Sequence, residues 1–439
     1  MRRQLRSNAP KNPFLSGKGQ PMKKRLDTRT AGAVSCAMLA TLLVGCSANP
    51  TSPSDSVPTR KDNPYAGLTE PPISVMTIGN WTQPLLGTSN PEFPAGAEAA
   101  AAAVNAAGGI NGRPIQVIVC SDELTPDVAR QCARDAVEQK VVAVVGLQTV
   151  NETTILPILE SAGIPAVGVY PFTEVGLSSP ASFPDVSGFI GQTVGMGLQL
   201  GAAGAEKVSV VVPGGMGGIS TAIRDSVEVG AAKADVPFGD LVQVPAKSPD
   251  LSAVVAAATG DGASVAGFAN DEAEFVRSMR MLAPDSFVTT FPFNLTSKVL
   301  ESVGEDAEGV MSVEGFVPPT ADTPGTRQFR EDMEAYDPSI TVTATGLHEW
   351  LAMSTFARVA AQLDLLSPAT VKDAMSNLRN LDMGGITPPY STMAQDPRYP
   401  RLFNPTVVFQ KIENGQTVLQ HPEQSPFVPV GDLITTSSG

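Results

Sequence analysis

Histidine is almost missing from this chain. His348 and His421 are the only two in 439 residues, and they lie far apart. His348-Glu349-Trp350-Leu351-Ala352 begins like a zincin helix but lacks the second histidine, so a metal reading fails. No G-x-S-x-G nucleophile elbow and no Walker A sequence is present. No catalytic group, metal or cofactor is therefore expected, and an extracellular enzyme is a remote alternative. Basic residues are also scarce. After residue 45 the chain carries 21 Lys and Arg against 43 Asp and Glu. That balance argues against nucleic acid and against an electrostatic grip on anionic lipid. The apolar run from Ala31 to Val44 is too short to span a bilayer.

That run has informative flanks. Met22-Lys23-Lys24-Arg25 precedes it and Leu43-Val44-Gly45-Cys46 closes it. Basic, apolar and small-residue elements in this order define an export signal. The closing four residues resemble a bacterial lipobox, whose cysteine becomes a lipid-modified N-terminus. Residues 1–45 then form a lipoprotein signal peptide, which works from either Met1 or Met22. The protein is expected outside the cytoplasm, anchored to the cell membrane through lipidated Cys46. Acyl chains suffice for that, at roughly 0.8 kcal/mol per buried CH₂. Residues 46–70, rich in Pro, Ser, Thr and Asn, read as a flexible tether.

Cysteine is as sparse as histidine. Cys36 falls in the discarded run and Cys46 takes the lipid, which leaves Cys120 and Cys132. In an oxidising compartment a disulfide is the default. It would close a loop of about a dozen residues and contribute on the order of 3 kcal/mol. A metal site or two free thiols are the alternatives, although two cysteines without a nearby histidine make a poor zinc site.

Beyond the tether, short apolar runs alternate with amphipathic stretches. Strands are expected at Ile73–Ile78, Ile115–Cys120, Val141–Val145, Pro165–Val169, Lys207–Val212, Ser264–Phe268, Phe287–Phe291 and Val310–Phe316. Helical stretches between them include Glu92–Ala107, Pro126–Gln139, Glu152–Ala162, Gly217–Ala234 and Glu272–Leu282. Strands apolar throughout imply parallel sheets covered on both faces, an α/β architecture. The length suits two lobes, each with its own core.

The order of motifs resembles a known family. Ile73–Ile78 is followed by Gly96, by Asn105-Ala106-Ala107-Gly108-Gly109-Ile110-Asn111-Gly112-Arg113, by Ile115–Cys120 and by Asp122. A second block runs from Val141–Gly146 through Pro157 to Gly163-Ile164-Pro165. Weaker matches are Phe329 with Tyr336, Pro388-Pro389 and Asn414-Gly415. Together they resemble the type I periplasmic substrate-binding proteins of ABC transporters, the branched-chain amino acid and amide class, in lipoprotein form. The resemblance implies two doubly wound parallel-sheet lobes joined by three hinge crossovers. These are expected near Asp185–Gly188, Glu314–Pro318 and Thr387–Ser391. Lobe one would hold 71–187 and 316–388, and lobe two 188–315 and 389–430.

It also implies a function. A monomer would bind a small-molecule ligand in the cleft between the lobes and deliver it to ABC permease subunits by hinge closure. A ligand sensor of the same fold is the alternative. Strand-end loops give the candidate site. On lobe one these are Asn80, Trp81, Thr149, Asn151, Tyr170, Phe172 and Thr173; on lobe two, Met216, Phe268, Asn270, Phe293 and Asn294. Thr149 and Asn151 equally suit simple helix capping; for Trp81 the core is the alternative, although its position just after a strand favours the cleft. Gly214-Gly215-Met216-Gly217-Gly218 is also a tight turn before a helix. Amino-acid binders of the family place an acidic residue where this chain has Pro292-Phe293-Asn294. An α-ammonium would lack its partner there, so a free branched-chain amino acid is not expected. An amide, or an apolar or aromatic body with one polar or anionic end, fits better. Trp81, Phe172, Met216 and Phe293 would wall it.

Overall fold

The computed structural model describes residues 59–84, 88–245, 248, 250–393 and 396–436. The signal peptide, Cys46 and the tether up to residue 58 lie outside the described residues.

The first sheet contains β1 (Ile73–Gly79), β4 (Ile115–Ser121), β5 (Val144–Gln148), β6 (Ala166–Val169) and β7 (Ser182–Pro184). A small hairpin, β2 (Thr82–Gln83) with β3 (Thr88–Ser89), follows β1. The sheet order is β4-β1-β5-β6-β7, parallel throughout. Its helices are α1 (Ala95–Ala106), α2 (Pro126–Glu138) and α3 (Glu152–Ala162). The fourth helix, α4 (Gly188–Ala203), already packs on the second sheet.

That sheet contains β8 (Val208–Pro213), β9 (Phe238–Val244), β10 (Ser264–Gly267), β11 (Val288–Thr290) and β12 (Met311–Glu314). Late strands β13 (Thr406–Glu413), β14 (Gln416–Leu419) and β15 (Phe427–Pro429) join antiparallel. Its order is β14-β13-β12-β11-β10-β8-β9, with β15 also on β13. Helices α5 (Gly218–Lys233), α6 (Ser252–Ala258), α7 (Glu272–Leu282) and α8 (Ser297–Val303) connect its strands. The chain then returns to the first sheet with α9 (Pro324–Tyr336), α10 (Ala344–Ala360) and α11 (Pro368–Ser376), and it ends in α12 (Gly431–Thr436).

In both sheets the first strand lies between the second and the third. Each sheet therefore has a switch point where successive connections run to opposite sides, β1/β5 in one and β8/β10 in the other. Crevices at the carboxyl ends of strands form there. Alternation along β1 shows how the strands are covered. Ile73 and Val75 enter one core with α1 and α10, while Met76 and Ile78 enter another with α2 and α3. Full burial of each such side chain contributes about 1.5–3 kcal/mol.

The expected strands are all present within a few residues of their predicted ends. The helix α4 had no counterpart in the sequence reading. Its glycines resemble a loop composition, yet they let α4 and α5 approach closely. A Cβ on Gly197 would lie 2.2 Å from the Val227 carbonyl oxygen, and one on Gly230 would lie 2.0 Å from that of Val194.

Two boundaries differ from expectation. Residues 59–70 are not loose. Arg60 pairs with Asp332 at 3.0 Å, Lys61 pairs with Asp337 at 2.7 Å, and Asn105 Nδ2 donates to the Pro64 carbonyl at 2.8 Å. Composition could not reveal partners more than 250 residues away for the two cations. The last passage between sheets also lies later than Thr387–Ser391. Tyr390 still packs in the core of the first sheet, Tyr399 and Leu402 in that of the second. The bridge between Leu381 and Tyr390 holds this segment back.

The disulfide forms. Cys120 at the end of β4 bonds Cys132 in α2, with Cα atoms 5.8 Å apart.

Candidate functional site

Strand ends of both sheets supply an aromatic seam. On lobe one, Tyr170 follows β6 and its ring centroid lies 5.2 Å from that of Phe172. Phe172 lies 5.8 Å from Phe189, in the first turn of α4. Phe189 stacks on Phe291 at 4.9 Å, and Phe291 stacks on Phe293 at 5.1 Å. Phe268 meets Phe291 edge-on at 5.4 Å. Four predicted residues, Tyr170, Phe172, Phe268 and Phe293, are thus joined into one row. Phe189 and Phe291 complete it, and sequence reasoning missed both. Phe291 ended an expected strand, and Phe189 sits in the unexpected helix.

Beside the seam lies a cavity of about 580 Å³. Its apolar wall is formed by Phe172, Leu177, Phe189, Ile190, Ala222 and Ile223. Thr173, Thr193, Thr221 and Ser226 add hydroxyls, and Glu174 and Asp225 add carboxylates. Gly218 brings the start of α5 to it; residues 214–217 of the glycine-rich turn are not among its lining. Of the twelve predicted site residues, Phe172 and Thr173 line the cavity. Met216 packs half-buried against the neighbouring core of lobe two.

The remaining predicted residues are placed as follows. Trp81 is buried, with its ring over the backbone of Gly79 and its edge against Phe93. Its Nε1 and the Oε1 of Gln148 have no hydrogen-bond partner among the described residues. Asn80 is half-buried and Asn270 is exposed. Asn294 Nδ2 reaches Thr290 at 3.5 Å. Thr149 and Asn151 are buried and both donate to Asp122, Asn151 Nδ2 at 2.8 Å. Neither side chain caps α3.

Glu152, the first residue of α3, binds the next loop. Its Oε1 accepts from Phe172 N at 2.9 Å, and its Oε2 accepts from Thr173 N at 2.9 Å and Thr173 Oγ1 at 2.6 Å. Burial pushes its carboxyl up to about 7 despite these donors. Glu272 is similar on lobe two. It accepts from Ala269 N at 3.2 Å, its Oε1 has no partner among the described residues, and burial raises it to about 7. Glu272 opens the helix expected over Glu272–Leu282. Its carboxyl points inward beside Thr290.

A buried cluster joins the passages between the sheets. His348 Nε2 lies 3.0 Å from Asp185 at the first passage. Tyr170 donates to Glu314 at 2.9 Å at the second, and Gln192 of α4 donates to the same carboxylate at 3.1 Å. Burial disfavours the imidazolium of His348, but Asp185, Glu349 and Glu314 outweigh this and raise its pKa. Burial likewise raises Glu314 and Glu349 to about 7. Among the described residues no group of three or more His, Cys, Asp and Glu is placed to hold a metal ion.

Two sheets of matching order, three passages between them and a cavity at the strand ends make up a ligand-binding architecture. The family model described as periplasmic binding protein matches residues 84–415. The chain belongs to this family.

Solved periplasmic binding proteins share the fold. A branched-chain amino acid ABC transporter protein from Thermus thermophilus, with bound valine, is 16% identical with a TM-score of 0.67, over 84% of this chain and 99% of that one. A fatty acid ABC transporter substrate-binding protein from Thermomonospora curvata is 16% identical with a TM-score of 0.68, over 84% and 95%. A substrate-binding periplasmic protein from Ralstonia solanacearum is 18% identical with a TM-score of 0.64, over 79% and 100%. A search of curated protein sequences gives no match. At the level of the family this is a periplasmic binding protein. No helix of the described residues is long and apolar enough to cross a membrane.

Proposed function

We propose that this periplasmic binding protein captures a small organic ligand with an apolar or aromatic body and presents it to an ABC permease. The aromatic row from Tyr170 through Phe189 to Phe293 carries this reading. It runs from one lobe to the other beside the cavity, so a ligand lying on it touches both lobes and favours closure, a hinge motion. The protein acts as a monomer held to the membrane by acyl chains on Cys46. A free branched-chain amino acid remains disfavoured, because the residues after β11 are Pro292-Phe293-Asn294 and carry no charge. Among solved structures of this fold, one holds valine and another is a fatty acid ABC transporter substrate-binding protein.

The test is native mass spectrometry of protein purified without unfolding, followed by identification of the released small molecule. A ligand with a hydrocarbon or aromatic body supports the reading. Leucine, isoleucine or valine as the bound species would overturn it.

A further inference from the structure

Four buried ionisable groups meet where the chain passes between the sheets. Asp185 lies on the first passage, between β7 and α4, and Glu314 ends β12 at the second. His348 and Glu349 belong to α10 of lobe one. Exposure is 5% for Glu314 and 0% for the other three. One imidazole therefore faces three carboxyl groups, and full ionisation leaves negative charge uncompensated away from water. A buried cluster of this kind keeps a proton instead.

Hydrogen bonds show where that proton sits. The Thr77 hydroxyl lies 2.7 Å from Glu349 Oε2 and 3.1 Å from the Gly146 carbonyl oxygen. A hydroxyl has one hydrogen, so it cannot donate to both. Both bonds form when Thr77 donates to Gly146 and Glu349, as a carboxylic acid, donates to Thr77. Glu349 Oε1 has no hydrogen-bond partner among the described residues, and it lies 4.0 Å from His348 Nδ1, which also has none. Glu314 is supplied differently. It accepts from Tyr170 Oη at 2.9 Å, Gly315 N at 2.8 Å and Gln192 Nε2 at 3.1 Å, three donors that suit a carboxylate. His348 Nε2 lies 3.0 Å from Asp185 Oδ1. Tyr170 and Tyr390, the phenols nearby, are kept neutral by burial. Asp332 of α9 turns away from the cluster to Trp350 and Arg60.

The cluster ties the lobes together, because Tyr170 and His348 come from lobe one and Gln192 from lobe two. The packed arrangement favours the protonated carboxyl, and a lobe rotation that admits water favours the ionised one. Burial raises Glu349 from 4.5 to about 7. The packed arrangement therefore loses its advantage as pH rises through neutrality, and the hydrated one gains. We propose that Asp185, His348, Glu349 and Glu314 form a proton-dependent latch between the lobes, shut when the cluster holds its proton and released when the proton is lost.

The test places spin labels on the ligand-free full chain through Arg134→Cys in α2 and Lys298→Cys in α8, both exposed and one on each lobe. Double electron–electron resonance reads the distance between them at about pH 5.5 and about pH 8.5, on either side of the window. The inference expects the ratio of long to short distances to rise about tenfold or more between the two. It expects Glu349→Gln, whose amide donates to Thr77 as the acid does, to cut that rise to about threefold or less. Infrared spectra at the lower pH should show a buried carboxylic acid band that Glu349→Gln removes. A rise below tenfold in the wild type would overturn the latch. A rise above threefold in Glu349→Gln would overturn its assignment to this cluster. An unchanged infrared band in the variant would overturn the placement of the proton.

Discussion

Trp81 and Phe172 show how differently two aromatic residues at strand ends are used. Both follow the carboxyl end of a strand, and sequence position alone gave them the same role. Trp81 is 2% exposed and lies over Gly79, whereas Phe172 is half-buried and lines the cavity. Trp81→Ala is therefore expected to lower stability by about 3 kcal/mol or more, as large aromatic truncations in cores do. Urea denaturation checks this, and a loss below about 1 kcal/mol would contradict the burial argument. The candidate site was legible in Tyr170, Phe172, Phe268 and Phe293 because strand ends face the crevice in this architecture. Phe189 was illegible because it lies in a helix whose glycines hide it. Glu152 and Glu272 were illegible for another reason. A carboxylate in the first turn of a helix is ordinarily a solvated charge, and only the tertiary structure turns these two inward.

Elements were easier to read than residues. The central strands β5, β6 and β8 are mostly apolar and buried because helices cover both faces of each sheet. That pattern survives in sequence without any long-range information. The helices α4 and α10 did not stand out. Both are buried nearly all round, so neither carries the amphipathic stripe that marks a surface helix. The link between β4 and α2 was legible from cysteine count and compartment alone. A Cys120→Ser, Cys132→Ser double variant is expected to lose on the order of 3 kcal/mol, because the closed loop restricts the unfolded chain. Unfolding with and without reductant should move the wild type but not the variant. An equal response in both would show that the bond contributes nothing. At α9, Thr323 caps the helix reciprocally with Thr326. Thr323→Ala is expected to cost about 1 kcal/mol, and an unchanged urea midpoint would refute that role.

Charge acts at the scale of the whole molecule. Glu152, Glu272, Glu314 and Glu349 are buried, and each is raised from 4.5 to about 7. Between these values the folded state holds protons that the unfolded state has released. Stability therefore falls as pH rises through this window. His348, also raised, acts in the same direction, since its protonated form is favoured in the fold and is lost as pH increases. Asp337, lowered to about 2 by Lys61, opposes this only in more acidic solution. Calorimetric unfolding is expected to give a higher Tm near pH 5 than near pH 8, roughly the ends of that window. An equal or lower Tm near pH 5 would contradict the assignment. Glu314, His348 and Asp185 sit where the chain passes between sheets, so the same protons bear on the relation of the lobes.

Phe189 decides whether ligand capture depends on the seam between the lobes. Its ring touches Phe172 on one side and Phe291 on the other, and it lines the cavity. The most direct test is calorimetric titration of the co-purifying ligand into ligand-free wild type and Phe189→Ala. The account predicts an affinity loss of about thirtyfold, near 2 kcal/mol, as expected of a central aromatic contact, in a variant that still unfolds cooperatively. Unchanged affinity in a folded Phe189→Ala protein would contradict it.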